Sequence, residues 1–111
     1  MTQGTIKIKG KIYPADNVVI CFSNGYAKNR PQMFVKCLGV YIDQGNPQWG
    51  AIPGTKYFCL HLGARMQAPP PDAPILHLNL TKNWYQMIAD GTKTVEYREQ
   101  KPSWQRIFTA D

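Results

Sequence analysis

The chain has 111 residues, 43% of them hydrophobic and 18% charged, and its 13 Lys and Arg outnumber seven Asp and Glu for a formal charge of +6. This is one domain's worth of chain with one modest core, too hydrophobic to stay disordered. The positive balance favours anionic partners, with nucleic acid the commonest of these and solubility alone the alternative.

Strand signals fill the first two thirds. Thr5 to Lys9 alternates polar and apolar residues, as an edge strand does. Tyr13-Pro-Ala-Asp-Asn17 reads as a turn, and the continuous apolar run Val18 to Phe22 as a buried strand broken by Ser23-Asn24-Gly25. A polar, basic loop over residues 27–32 leads to a long strand, Met33 to Ile42, in which Gly39 marks a bulge or close backbone approach. Asp43 to Gly54 is a loop with three glycines, two prolines and Trp49, and Lys56 to Leu62 is a further strand. The segment 64–74 carries Pro69, Pro70, Pro71 and Pro74 and is the one linker-like stretch.

The last third changes character. Ile75 to Leu80 alternates as a strand, and Thr81 is placed to cap a helix over Lys82 to Asp90. Trp84, Met87 and Ile88 share one face at i, i+3, i+4 spacing, which predicts core packing, and Gly91 fits the position that ends the helix. Thr92 to Arg98 is a strand, with Val95 and Tyr97 on one side and Thr94, Glu96 and Arg98 on the other. Pro102 opens a short helix carrying Trp104, Ile107 and Phe108, with Trp104 again expected in the core.

Cys21, Cys37 and Cys59 are odd in number, widely spaced and set in apolar runs, so buried free thiols are expected rather than a disulfide framework or metal site. No apolar run approaches membrane-spanning length, and Met1 to Gly10 lacks the apolar stretch of a signal peptide; a cytoplasmic protein with no membrane contact is expected. His61 and His77 alternate with leucines and read as strand histidines. Gly45-Asn-Pro-Gln-Trp-Gly50 lacks the Lys-Ser/Thr ending of a P-loop, and no residue set implies a cofactor.

The stretch Ile75 to Phe108, with Gly91, Lys93, Glu96 and Arg98 spaced as Gly-x-Lys-x-x-Glu-x-Arg, resembles the opening of an ASCH domain, a member of the PUA-like superfamily. Lys101-Pro102-Ser103-Trp104 is similar to the Lys-Pro-x-Trp element of phage-type members. Asn24-Gly25-Tyr26, Met33 to Gly39, Gly45 to Gly54 and Tyr57 to Gly63 resemble the later half of the same domain. The order is exchanged: residues 1–63 are similar to the family's C-terminal half and 75–111 to its N-terminal half, with 64–74 joining the old ends. The resemblance therefore implies a circularly permuted single domain over 1–111, since the ends of compact domains are often close in space. It implies an α+β fold, a small mixed and largely antiparallel β-barrel with one main helix and one short helix, either monomeric or a domain-swapped dimer.

The signature residues carry the candidate chemistry. Lys93 contacts phosphate if charged, or serves as nucleophile or base if buried; Glu96 accepts from a base amino group or orients its basic neighbours; Arg98 forks onto phosphate or stacks on a base. By strict alternation Lys93 falls on the parity opposite to Glu96, so a twist or bulge must bring them together. Tyr26, Lys28, Arg30, Trp49, Tyr97 and Lys101 are further binding candidates, with Lys82 and Arg106 adding charge. Trp49 is either a cleft lid or a loop anchor. Some ASCH enzymes remove the acetyl group from N4-acetylcytidine through a Lys–Thr–Glu set. Lys93 falls on that lysine and is the residue the resemblance carries over; Glu96 replaces the threonine and joins Lys93 as a candidate catalytic residue through its own acid chemistry. The leading expectation is an RNA-, single-strand- or nucleotide-binding domain with a basic cleft; the alternatives are an amidohydrolase acting on a modified nucleoside and a phage-type accessory protein that binds no nucleic acid.

Overall fold

Local patterning organises the chain into short strands and two helices, and the computed structural model describes residues 3–25 and 29–110. A first hairpin, β1 (Thr5–Ile8) and β2 (Lys11–Pro14), turns at Lys9 and Gly10, both at positive φ (50° and 81°), as a two-residue hairpin loop matched to strand twist requires. After a 3-10 turn at Ala15–Asn17 come β3 (Val19–Asn24), β4 (Gln32–Gln44) and β5 (Lys56–Met66). The last third supplies β6 (Ile75–Leu80), α1 (Lys82–Ala89), β7 (Val95–Glu99), α2 (Pro102–Gln105) and β8 (Phe108–Thr109).

These make an α+β fold of two sheets, ordered β2-β1-β8 and β6-β3-β4-β5-β7, in which every pairing is antiparallel except β3 with β6. The two halves of the chain are interleaved within one molecule: β3 pairs β6 from Val19↔Ile75 to Asn24↔Leu80, and β5 pairs β7 from Tyr57↔Glu99 to His61↔Val95.

The expected closed barrel is not formed. β6 and β7 are the two edges of the five-stranded sheet, and no backbone ladder joins them among the described residues. A side chain crosses the seam instead, where Arg98 Nη2 donates to the carbonyl of Asn79 at 3.2 Å.

Four sequence expectations are corrected at the level of elements. The Tyr13–Pro14 pair belongs to β2 rather than to a turn; proline is tolerated there because β2 is an edge strand. β1, expected at an edge, is central between β2 and β8, and Phe108 lies in β8 rather than in the short helix. β5 runs on to Met66, three residues into the linker-like segment, because β4 is long enough to pair with it there (Phe34↔Met66). Register shifts in that ladder flank Cys37 and Gly39, as the glycine suggested.

One face of the larger sheet carries the core. Ile20, Phe22, Val35, Phe58, Leu60 and Leu78 are buried there, closed by Tyr85 and Ile88 of α1 and by Ile6 and Phe108 of the smaller sheet. The buried face of α1 is thus Tyr85 and Ile88, not Trp84 and Met87. A second, small cluster of Ala51, Tyr57 and Cys59 lies on the other parity of β5 beneath the β4–β5 loop, with Tyr97 packed against it. This explains why four successive residues of β5, Tyr57 to Leu60, are all buried: the strand is covered on both faces.

Candidate ligand-binding cleft

α1 ends at Asp90, and Gly91 (φ 84°) takes the left-handed conformation that reverses the chain, its amide donating to Ile88 O at 3.2 Å. The amide of Lys93 then donates to Met87 O at 2.9 Å, so the lysine is tied to the helix end before β7 begins at Val95. That short irregular link removes the parity conflict.

Glu96 faces the core side of β7, opposite Leu60, which is fully buried. Only 4% of Glu96 and 3% of Lys93 is exposed, so a carboxylate and an ammonium sit at core depth. Lys93 Nζ donates to Glu96 Oε1 at 2.6 Å, and Arg98 Nη2 donates to Glu96 Oε2 at 2.8 Å. The carboxylate is thereby shared between two cations in a linear Lys–Glu–Arg chain. Arg98 Nε is buried with no hydrogen-bond partner among the described residues.

Aromatic rings enclose the two cations. Lys93 Nζ lies 4.7 Å from the ring centroid of Trp84 and 5.6 Å from that of Tyr97, and the Arg98 guanidinium lies 5.0 Å from Trp104. Trp104 in turn stacks on Phe108 with centroids 5.7 Å apart. Cation–π contacts of this kind contribute about 0.5–2 kcal/mol each, more as water is excluded.

The ion chain forms the floor of a cleft of about 550 Å³ at the β6–β7 seam, within the roughly 300–1,000 Å³ usual for small-molecule sites. One wall is the β4–β5 loop. Asn46 caps a 3-10 turn over Pro47–Trp49, and Gly50 follows in the left-handed conformation (φ 96°). A Cβ on Gly50 would stand 2.9 Å from Trp84 Cζ2, so the loop approaches the indole as closely as only glycine allows. The loop is pinned from below by two tyrosines: Tyr97 Oη accepts from Asn46 N and Tyr57 Oη from Ile52 N, both at 2.9 Å. Burial pushes the Tyr97 hydroxyl's pKa up, partly offset by the bond from Asn46.

Of the residues singled out in the sequence, Lys93, Glu96, Tyr97, Arg98, Trp49 and Lys101 all line this cleft. Arg30 does not: it is half-buried in the approach to β4, close enough to Cys21 for its charge to lower that thiol's pKa against the larger effect of burial. Tyr26 and Lys28 lie outside the described residues. Sequence reasoning missed Trp84 and Trp104, both assigned to the core on helical spacing; each is half-buried and turns part of its ring to the cleft. The missed signal was their placement beside Lys93 and Arg98 in the same signature half. Asn79 was missed as well, since its contribution to Arg98 is a backbone carbonyl that sequence does not mark.

The three cysteines are buried and unpaired, and His61 and His77 are exposed. No helix among the described residues is long and apolar enough to cross a membrane. No family model, curated protein or solved structure matches the chain.

Proposed function

We propose that the chain binds a nucleobase-bearing ligand, an RNA segment or a nucleotide, in the β6–β7 cleft. One observation carries this reading: all three tryptophans of the chain, Trp49, Trp84 and Trp104, converge on a single cleft floored by Lys93, Glu96 and Arg98. Aromatic walls suit the flat, apolar faces of a base, with stacking worth about 1–3 kcal/mol per base. The polar floor suits its hydrogen-bonding edge or an attached phosphate.

Stability is a poor reason for the ion chain. Buried ion pairs roughly break even with, or lose to, hydrophobic replacements of the same volume, so two charges at core depth and a half-buried third beside a cleft point to function. The family reading agrees with the geometry: Lys93, Glu96 and Arg98 of the ASCH-like signature face the cleft, and residues from both sides of the 64–74 segment build it. On that reading the chain is a permuted, PUA-like domain of the cytoplasm whose barrel stays open at the seam to admit ligand.

A second reading is favoured by the 2.6 Å contact of Lys93 with Glu96. Such a couple can pass a proton to and from an amide undergoing hydrolysis, which is the amidohydrolase alternative. Titration of tryptophan fluorescence with ribonucleoside monophosphates, N4-acetylcytidine and short RNAs tests both. Saturable quenching that is lost in Arg98→Ala and Trp84→Ala supports the binding site; release of cytidine from N4-acetylcytidine that is lost in Lys93→Ala supports the enzyme. Absence of quenching by every ligand at millimolar concentration rejects the nucleobase assignment and leaves an accessory protein.

A further inference from the structure

A second groove, of about 480 Å³, lies where the β1–β2 hairpin meets the start of β6. Lys9 and Lys11 line it beside Tyr13 and His77, and Asp72 is its one acidic residue. Both lysines are exposed and form no ion pair among the described residues, and Lys7 adds a third exposed ammonium on the same hairpin. The hairpin itself, residues 5–14, contains no acid.

β6 connects this groove to the cleft. Along the strand Leu76, Leu78 and Leu80 point into the core, so Ile75, His77 and Asn79 form the opposite row. Ile75 and His77 line the hairpin groove, and Asn79 lines the cleft. The edge strand therefore runs from one depression to the other over about 13 Å, at about 3.3 Å per residue, and reaches the cleft at Asn79 and Leu80.

From this continuity we infer that the ligand is a polymer: a single-stranded nucleic acid whose base enters the cleft and whose backbone follows β6 to phosphate contacts on Lys9 and Lys11. The inference rests on the nucleobase reading of the cleft and adds to it the class of ligand and the direction of the chain. A mononucleotide would fill only the cleft. A strand engages both depressions, and its phosphates meet two unpaired ammoniums where a buried or paired lysine would be of no use. Tyr13 and His77 offer rings for an unstacked base along the way.

The test compares uridine and adenosine monophosphates with a mixed-sequence RNA octamer, by calorimetry and anisotropy at several salt concentrations. The octamer spans the track at about 3.4 Å or more per nucleotide. The natural chain should bind the octamer at least tenfold more tightly than either mononucleotide. Lys9→Gln with Lys11→Gln should remove most of that advantage and reduce the slope of log K against log salt by about 1.4, at about 0.7 for each single-strand phosphate that is no longer neutralised. Mononucleotide affinity and melting temperature should stay as in the natural chain, since both lysines are at the surface and outside the cleft. Equal affinity for octamer and mononucleotide, or an unchanged slope in the double variant, overturns the track while the cleft reading stands. Octamer binding that Arg98→Ala and Trp84→Ala leave intact overturns the cleft reading instead, and binding of neither ligand overturns both.

Discussion

Lys93 Nζ and Glu96 Oε1 stand 2.6 Å apart with 2% and 6% of their side chains exposed, yet Lys93 is not the only cation on that carboxylate. Arg98 holds the second oxygen at 2.8 Å. The three charges are therefore unequal in consequence: without Lys93, Glu96 keeps a cation, whereas without Glu96 two cations are left with no counter-charge in the chain.

Glu96→Gln is accordingly expected to be the most damaging single change in the ion chain, lowering stability by about 3–5 kcal/mol, the usual cost of leaving buried charge uncompensated. Lys93→Met should cost clearly less. The double variant should recover part of the Glu96→Gln loss, because one of the stranded cations is gone. Urea unfolding of the three variants checks the order; equal losses for the two single variants would show that the carboxylate is not the shared member.

Gly50→Ala should lower stability and disturb the cleft together. The left-handed backbone at φ 96° costs an L-residue about 1–2 kcal/mol, and the added methyl would sit 2.9 Å from the Trp84 ring. A lowered melting temperature accompanied by a shifted tryptophan emission is expected. Gly54→Ala is the control, since its φ is also positive but nothing lies within 4 Å of a Cβ there.

Tyr97→Phe removes the acceptor of the Asn46 amide and keeps the ring beside Lys93. Its expected cost is about 1–3 kcal/mol for the stranded amide N–H. Hydrogen exchange should rise at Asn46 through Trp49 and stay unchanged in the paired strands. A uniform rise across the sheet would assign Tyr97 to the core alone.

Burial pushes the thiols of Cys37 and Cys59 up to about 11, from 9.0 in an open chain. The folded protein therefore holds these protons more tightly than the unfolded chain. Stability from this source is complete below about pH 9 and is lost as pH rises towards 11, because unfolding then lets both thiols ionise and release their protons. Denaturant midpoints measured from pH 8 to 11 should fall, and the fall should shrink in Cys37→Ala with Cys59→Ala. At pH 7.5 both thiols should react with a disulfide reagent only at the rate of unfolding.

The parts of the fold written in periodicity were legible. Apolar runs between turn signals mark β3, β4 and β5, alternation marks β6, and the Thr81-to-Gly91 interval frames α1 to within a residue or two. Two short strands were not, since β2 carries a proline and β8 is only two residues long; both exist because β1 offers them a partner. In the site, the spacing of Lys93, Glu96 and Arg98 was visible, but their union depends on the helix-end turn that lets Lys93 escape strand parity. Helical spacing correctly placed Trp84 on the side of α1 that meets other elements. It could not separate core from cleft, because neighbouring faces of one short helix serve each.

The seam between β6 and β7 carries a cost of a different kind. Two strands there leave amide and carbonyl groups free to recruit foreign strands, the usual route to edge-to-edge aggregation. Arg98 reaches across to Asn79 O and, with the charges around it, makes that gap inhospitable to an intruding apolar segment. The same side chains that would hold a ligand thus stand guard over the open edges, so replacing Arg98 with an apolar residue should compromise solubility along with recognition.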